Sequence, residues 1–479
     1  MINLILLFPL FACLLLWIFK KDFLNTWVLN IYALLHVLVS ATACFGKELF
    51  PAWHSCSFFA LNNRNVLFLA VMSVVFLGVA IYNNGYIKDE NVDSRKLRHY
   101  SYMVLFFVLS MTGAILSTNL GVSWVFIEGT TLASAYLIYF HKTKHSIEAA
   151  WKYVFICSIG ISLAFVGIIL LTFATGNLNS LYYEDLYNNA QMFDKFWLKL
   201  SFVFIMFGIG TKMGLAPVHF WLPDAHAEAP SPISALLSAT LLNSAFLMII
   251  NVFGIMIAAN CDSYARIMML AMGFLSLFIT AVFVYHIKNY KRMLAYSSIE
   301  NMGILIIGLA LGGVATVAAI IHLIGHSLIK ASFFLTSGNL LKIFSSKKIK
   351  SIAGLLSVDE KTGWLWILSF LGISAFPPSL LFISEFMIIK TMFVQHKITL
   401  CVVFLLLLTI VLYGLAKAVI TMSFSPVVED KKTELLAQVK TMNWTMYVPQ
   451  IFMLLVAFAL GIYMPESLVS LINNTVLGF

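Results

Sequence analysis

The residues best equipped for chemistry lie inside long apolar runs. Glu128 falls in VFIEGTTLAS, Glu300 in SSIENMG and Glu385 in LFISEFMII, while Lys152, Lys212, Lys330 and Lys417 interrupt similar stretches. His322 and His326 share the segment IIHLIGHSLIK with Lys330. A charge at the centre of a bilayer costs several kcal/mol on most scales. Such groups therefore face a bundle interior or water, where they mark ion paths or fasten helices together. One isolated charge is compatible with a fastener, whereas a set spread over separate spans favours a path. Lys152 and Lys417 stand close enough to span ends to snorkel, and Glu300 lies within two turns of a helix start.

Proton transfer needs groups whose ionisation can be switched. A buried lysine binds its proton less tightly on desolvation and more tightly beside a carboxylate, so a Glu–Lys pair that opens and closes can release or capture a proton. Glu128 and Lys212 have this chemistry, and their contact is an expectation that spacing alone does not establish. His322, His326 and Lys330 follow one another at i, i+4 and i+8 and share a helical face. Histidine titrates near neutrality and can relay protons through water. Two histidines at i, i+4 can also ligate a metal, although no further acid or thiol is near in sequence. A hydrogen-bonded structural cluster is the third reading.

Two spans look broken. GTKMGLAPVHFWLPDAH sets Gly214, Pro217 and Pro223 just beyond Lys212, and GISAFPPSLLFISEF sets Pro377 and Pro378 just before Glu385. Proline removes a helix donor, and non-helical backbone at membrane depth is tolerated only where protein or water surrounds it. Broken helices in corresponding positions point to inverted repeats and ion sites; ordinary proline kinks are the alternative. HAEAPSPISALLSA reads as a polar turn entering the next helix, with His226 and Glu228 either on an access route or simply solvated. His219 and Asp224 satisfy a short H-x4-D pattern seen in acyltransferases, which across a broken membrane helix reads as coincidence.

The elements that must position these groups follow from composition. Of 479 residues, 61% are hydrophobic and 11% charged, against about 45–50% and about 25% in soluble domains. Soluble, disordered and β-barrel classes are excluded. Apolar runs predict about fourteen membrane helices, near 2–19, 24–43, 65–86, 100–118, 120–140, 149–174, 197–222, 231–253, 264–285, 293–311, 314–341, 364–394, 398–423 and 443–464. The polar stretches between them, the longest being 87–99, 175–196, 342–362 and 424–442, are too short to fold alone. Most loop lysines and arginines follow odd-numbered spans, which puts those loops in the cytoplasm and both termini outside. The net charge of +9 reflects these loops rather than nucleic-acid binding. No basic segment precedes the first apolar run, so the N-terminus does not read as a cleavable signal. Six cysteines form no CxxC pair, and Cys44 and Cys56 could meet in one external loop. No nucleotide-binding fingerprint appears, so any energy source is an ion gradient or a partner.

The segments KMGLAPVHFWLPDAHAEAPSPISALLSA, KRMLAYSSIENMG, HSLIKASFFLTSGNLL and FPPSLLFISEF resemble the antiporter-like membrane subunits of respiratory complex I. That family includes the Mrp cation/proton antiporter subunits and the membrane arms of group-four [NiFe] hydrogenases, and the resemblance runs over about residues 100–425. Within it, IEGTTLASAYLIYFHKTKHSIEAAWKYVFICSIGI is most similar to the component F type of hydrogenase-4 and formate hydrogenlyase.

The resemblance implies an all-α polytopic fold of about fourteen helices with two inverted five-helix repeats. The expected organisation is an N-terminal three-helix segment (1–99), repeats over 100–253 and 264–423, and a last helix with its tail (443–479). It implies a proton path through Glu128, Lys212, His322, His326, Lys330 and Glu385, with Lys152, His226, Glu228, Ser238 and Glu300 as accessories. Members often carry a His or Lys in the eighth helix, where this chain offers Ser238, so the link between the halves is expected to run through water. The implied function is proton translocation in a redox-driven complex of the hydrogenase-4 or complex I type. This chain would bind no cofactor. Nickel–iron and iron–sulfur centres would lie in a peripheral redox arm, beside other membrane subunits in the bacterial cytoplasmic membrane. The alternatives are a subunit of an Mrp-type Na⁺/H⁺ antiporter and a membrane partner energising a soluble inorganic-carbon uptake module.

Overall fold

The computed structural model describes residues 2–45, 58–87, 93–427 and 429–476. Cys56, and with it the expected Cys44–Cys56 pairing, lies outside the described residues. Among those residues the regular structure is helical, with three isolated β-bridges and no strand. The crossing helices are α1 (Ile2–Phe19), α2 (Asp22–Phe45), α3 (Asn63–Tyr86), α4 (Ser94–Leu116), α5 (Leu120–Ile138), α6 (Lys144–Thr175), α7 (Lys195–Met213), α8 (Ser231–Ala258), α9 (Asp262–Val284), α10 (Tyr290–Leu311), α11 (Val314–Phe344), α12 (Glu360–Ile373 and Leu380–Val394), α13 (Ile398–Phe424) and α14 (Val448–Ile462). Thirteen described helices are long and apolar enough to cross a membrane. The twelfth expected span falls short because it is split in two, as its prolines imply. The seventh span resumes after its break as a short helix, Leu222–Glu228. Four further α-helices among the described residues, Tyr183–Asn189, Leu355–Val358, Glu429–Lys440 and Glu466–Val476, occupy stretches expected to be polar connections or tail.

A helix start in a bilayer leaves backbone donors that water cannot satisfy, and this chain supplies them with side-chain caps. Asn119 starts α5, Thr143 α6, Asp194 α7 and Asn289 α10. At α3, Asn62 and Asn65 satisfy each other's backbone reciprocally. Helices α8, α10 and α11 are buried along most of their length, while α1, α6 and α13 turn much of their surface to lipid. The core thus runs through α8, α10 and α11, where Lys330, His322 and His326 reside. α6 and α7 approach closely because Gly208 has no side chain; a Cβ there would stand 2.5 Å from Ala164 N and Gly160 O. Small residues at helix contacts are the usual means of close packing in membranes.

The two breaks share one backbone motif. α7 ends with Gly214 in the left-handed region at φ +78°. Leu215 N donates to Gly210 O and Gly214 N to Thr211 O. The first half of α12 ends with Ala375 at φ +53°, where Phe376 N donates to Leu371 O and Ala375 N to Gly372 O. Both are Schellman caps, which satisfy carbonyls that a helix end would otherwise leave unpaired. Each is followed by a cis prolyl bond, Ala216–Pro217 and Pro377–Pro378. Within the first break, Trp221 Nε1 donates to Thr211 O and Ala216 N to Ser276 Oγ. These bonds satisfy backbone groups that the departure from helical geometry would otherwise leave unpaired.

An alanine in the left-handed region costs roughly 1–2 kcal/mol. Ala375→Gly should raise the thermal midpoint of the detergent-solubilised protein. Gly214→Ala should lower it, because its Cβ would also run into Leu222. Thermal unfolding of the two variants beside wild type checks both directions.

Candidate functional site

Lys212 lies fully buried in the last turn of α7. A cation is favoured there because the helix dipole presents its negative end. Its Nζ donates to Tyr153 Oη (3.1 Å) and to Thr130 Oγ1 (3.5 Å), and stands 5.0 Å from the Tyr153 ring centroid. The hydroxyls are oriented in one direction. Ser134 Oγ donates to Thr130 O (2.5 Å), so Tyr153 donates to Ser134 (2.6 Å) and keeps its oxygen lone pairs for Lys212. Thr131 Oγ1 donates to Glu128 Oε2 (2.9 Å). The expected Glu128–Lys212 contact is open: among the described residues no ion pair joins the two, although the carboxylate is near enough for its charge to act on the lysine. Hydroxyls hold the ammonium in place of the carboxylate.

From Lys212 a stack of rings leads across the core. Tyr153 packs on Trp221 (centroids 4.9 Å apart), Trp221 on His226 (6.4 Å) and His226 on Phe334 (5.0 Å). Lys330 Nζ lies 6.0 Å from the Phe334 ring. A lysine thus closes each end, with His226 between them. His226 has no exposed surface, and neither of its ring nitrogens has a partner at hydrogen-bonding geometry. The same holds for His326. His226, His326 and Lys330 lie within range of one another's charge. Buried polar groups are normally satisfied by protein or by water.

Of the two readings of His226, access route or solvated turn, its complete burial excludes the second. Ser238, on α8, makes a 2.8 Å hydrogen bond with Ser298 Oγ. It occupies a π-helical turn, Leu237–Leu241, a feature frequent at functional sites.

In the second half, Lys330 donates to Leu294 O (2.7 Å), a carbonyl that also accepts from Ser298 Oγ (3.2 Å). His322 is engaged at both nitrogens. Asn301 Nδ2 donates to Ser297 O (2.6 Å), which directs Asn301 Oδ1 to accept from His322 Nε2 (3.0 Å). Ser384 Oγ lies 2.9 Å from His322 Nδ1 and 2.8 Å from Leu381 O. One hydroxyl proton cannot serve both acceptors. With Ser384 donating to Nδ1 the imidazole is neutral; with Ser384 turned to Leu381 O, Nδ1 carries a proton and donates. A hydroxyl rotation therefore accompanies any change of charge on His322. His322 is not free to bind metal, and no three His, Cys, Asp or Glu converge among the described residues. Glu300, 7% exposed, and Glu385 line one cavity beside the α12 break.

The short helix after the first break faces two ways. Asp224 and Glu228, four residues apart, look into a polar cavity of about 680 Å³, while His226 turns inward. Asp224 binds Arg292 (2.9 Å) and Lys152 (3.3 Å), and Glu228 binds Lys347 (2.9 Å). Lys152 is half-exposed and also pairs with Glu148 (2.6 Å), as a snorkelling residue would. Lys417 likewise reaches outward to Tyr285 Oη (3.1 Å). Asp224 is committed to two cations and no hydrogen bond joins it to His219, which leaves the H-x4-D pattern without an acid–base pair. Lys291, beside the start of α10, is buried and donates to Ala229 O (2.6 Å). His141, in the loop after α5, is pushed down to about 4 by burial and by the charges of Lys291, Lys347 and Lys96. It stays neutral near pH 7.

Sequence reasoning missed Tyr153, Thr130, Ser134, Asn301 and Ser384. Tyr153, Asn301 and Ser384 stand directly beside Lys152, Glu300 and Glu385 in the sequence, and that adjacency is their only signal; Thr130 and Ser134 share the apolar span of Glu128 and carry none.

A family profile described as "NADH:quinone oxidoreductase/Mrp antiporter, TM" matches residues 117–410. The chain is 32% identical over 97% of its length to the Hydrogenase-4 component F homolog of Methylacidiphilum infernorum, and covers 97% of that protein. Among solved structures it is similar to a chain of the Mrp complex from Dietzia sp. DQ12-45-1b (TM-score 0.84, 17% identity, 99% of this chain and 96% of that one). A chain of an archaeal membrane-bound sulfane sulfur reductase matches with TM-score 0.80 at 22% identity, covering 99% of both. At these identities the two structures establish the fold.

Tyr153→Phe deletes the acceptor for the Lys212 ammonium and keeps the ring. A hydrogen bond to a charged group contributes about 1.5–3 kcal/mol, so the variant should assemble normally and slow proton transfer about tenfold or more. Proton uptake by membrane vesicles, normalised to assembled protein, measures this.

Proposed function

The chain belongs to the NADH:quinone oxidoreductase/Mrp antiporter transmembrane family, and from that membership we propose that it is the proton-translocating membrane subunit of a redox-driven complex. The complex is of the hydrogenase-4 or formate-hydrogenlyase type, or a related complex I-like oxidoreductase. Its nickel–iron and iron–sulfur centres lie in a peripheral arm, and other membrane subunits flank this chain. The basic loops face the cytoplasm, both termini face outward and the host bilayer is the bacterial cytoplasmic membrane.

The observation that carries this reading is the closed line of buried groups from Lys212 to Lys330, with His226 and His326 unpartnered between them. Glu128 and Lys212 form the switch. When the pair is closed, the carboxylate holds the ammonium proton; when it is open, Lys212 rests on Tyr153 and Thr130 and can give a proton to the water beside His226. His226 and His326 pass it to Lys330, and His322 and Glu385 take it onward. The partner's redox cycle drives the opening and closing.

Helices α4–α8 and α9–α13 act as two inverted repeats. In support, α7 and α12 break with the same cap, and α5 and α10 both start at an asparagine and carry an acid, Glu128 and Glu300. Five helices per repeat, an odd number, place the second copy upside down.

Inside-out vesicles containing the whole complex test the reading. Glu128→Gln and Lys212→Ala should leave assembly intact and cut proton translocation by about a hundredfold, the scale of a lost acid–base group. His226→Phe, which keeps the stacked ring, should do the same. Wild-type pumping by Glu128→Gln and Lys212→Ala, with the complex assembled, would sink the mechanism.

A further inference from the structure

The buried face of α5 is polar at both ends and apolar in between. Ser123, Ile127, Thr130 and Ser134 stand at i, i+4, i+7 and i+11, so they share one side of the helix. All four are buried. Thr130 and Ser134 belong to the cluster around Lys212 and Tyr153. Ser123, near the helix start, belongs to a different network. It accepts from Tyr183 Oη (3.1 Å), and Tyr183 opens the short helix between α6 and α7.

Tyr183 also lines a polar cavity of about 630 Å³ at that end of the bundle. Arg64, in the first turn of α3, donates there to Tyr187 Oη (2.8 Å), which donates in turn to Asn251 O (3.0 Å). Tyr187 packs against Gly254 of α8, where a Cβ would stand 3.1 Å from its ring. Two polar networks thus approach α5 from opposite ends, one through Ser123 and one through Thr130. Seven residues of helix separate these two, a rise of about 10 Å. On the shared face the intervening side chain is Ile127, which has no exposed surface. Thr130 turns its hydroxyl proton to Ile127 O (2.6 Å), not towards Ser123. Glu128 lies off this face, one turn from the exposed Val125 and Leu132, and is held by Thr131.

We propose that the cavity walled by Arg64, Tyr183, Tyr187 and Asn251 is an outward water port of the first half, and that Ile127 is the plug that keeps its water from Lys212. This role rests on Lys212 being a proton carrier, as set out above. Loop charge turns this end of the bundle outward, so an unplugged Lys212 would lose its proton to the outside instead of passing it to His226. A proton relay needs groups that both donate and accept, as hydroxyls and water do. Water enters a buried space only where polar partners hold it. One isoleucine therefore suffices to break the line.

Ile127→Ser removes apolar volume and sets a hydroxyl between Ser123 and Thr130. Inside-out vesicles containing the whole complex build a proton gradient by turnover; turnover is then stopped, and decay of the gradient is followed with a pH-sensitive dye against vesicles lacking the complex. The complex-dependent decay should be about a hundredfold faster in Ile127→Ser than in wild type, the lower end of what one positioned proton-transfer group contributes. Ile127→Val should decay like wild type. Adding Ser123→Ala to Ile127→Ser should restore slow decay, a rescue that lost packing would not show. Ile127→Thr keeps the branched shape and replaces the serine variant if that one does not assemble. Wild-type decay in the assembled serine or threonine variant overturns the proposal, and so does fast decay that Ser123→Ala leaves unchanged. Glu128→Gln and Lys212→Ala are measured alongside. Wild-type pumping by both refutes Lys212 as a carrier, whereas impaired pumping by both with a tight Ile127→Ser removes the port alone.

Discussion

The structure is organised around the need to keep an ammonium group charged inside a membrane without neutralising it permanently. Lys212 is buried with no carboxylate in contact, and what holds it is the carbonyl end of a broken helix together with two hydroxyls. A permanent ion pair would trap the proton, because separating opposite charges in a low-dielectric interior is costly. No polar partners at all would make burial prohibitive. Weak hydroxyl acceptors sit between these limits, and Glu128 waits nearby, held by Thr131.

That requirement explains the broken helices. A straight α7 would carry Lys212 in mid-helix, away from the negative end of the helix dipole. Ending the helix at Gly214 brings the lysine into the last turn, and the chain then has to cross membrane depth without helical hydrogen bonds. The cap, Trp221 and Ser276 satisfy that backbone. The same excursion swings Leu222–Glu228 across the core, which is how His226 reaches the stack while Asp224 and Glu228 face the polar cavity. The α12 break repeats the device with Ala375 in place of glycine.

Much of this was legible in the residues. Apolar run length gave the span count, and the prolines located both breaks, because those signals are local. The i, i+4, i+8 spacing placed His322, His326 and Lys330 on one face of α11, all three buried. What stayed hidden depends on tertiary approach. His226 could be read as part of an access route or of a solvated turn, since HAEAPSPIS has loop composition and burial comes only from tertiary packing, including the rings of Trp221 and Phe334. Tyr153 is one aromatic among many in apolar helices, and only the approach of α6 to α7, permitted by Gly208, brings its hydroxyl to Lys212.

The central claim is that His226 carries the proton between the two lysines. Infrared difference spectroscopy on the assembled complex, switched between rest and turnover with ¹⁵N-labelled histidine, reports this most directly. The account predicts an imidazole protonation band that shifts with the label and disappears in His226→Phe. A difference spectrum unchanged by that substitution would contradict it.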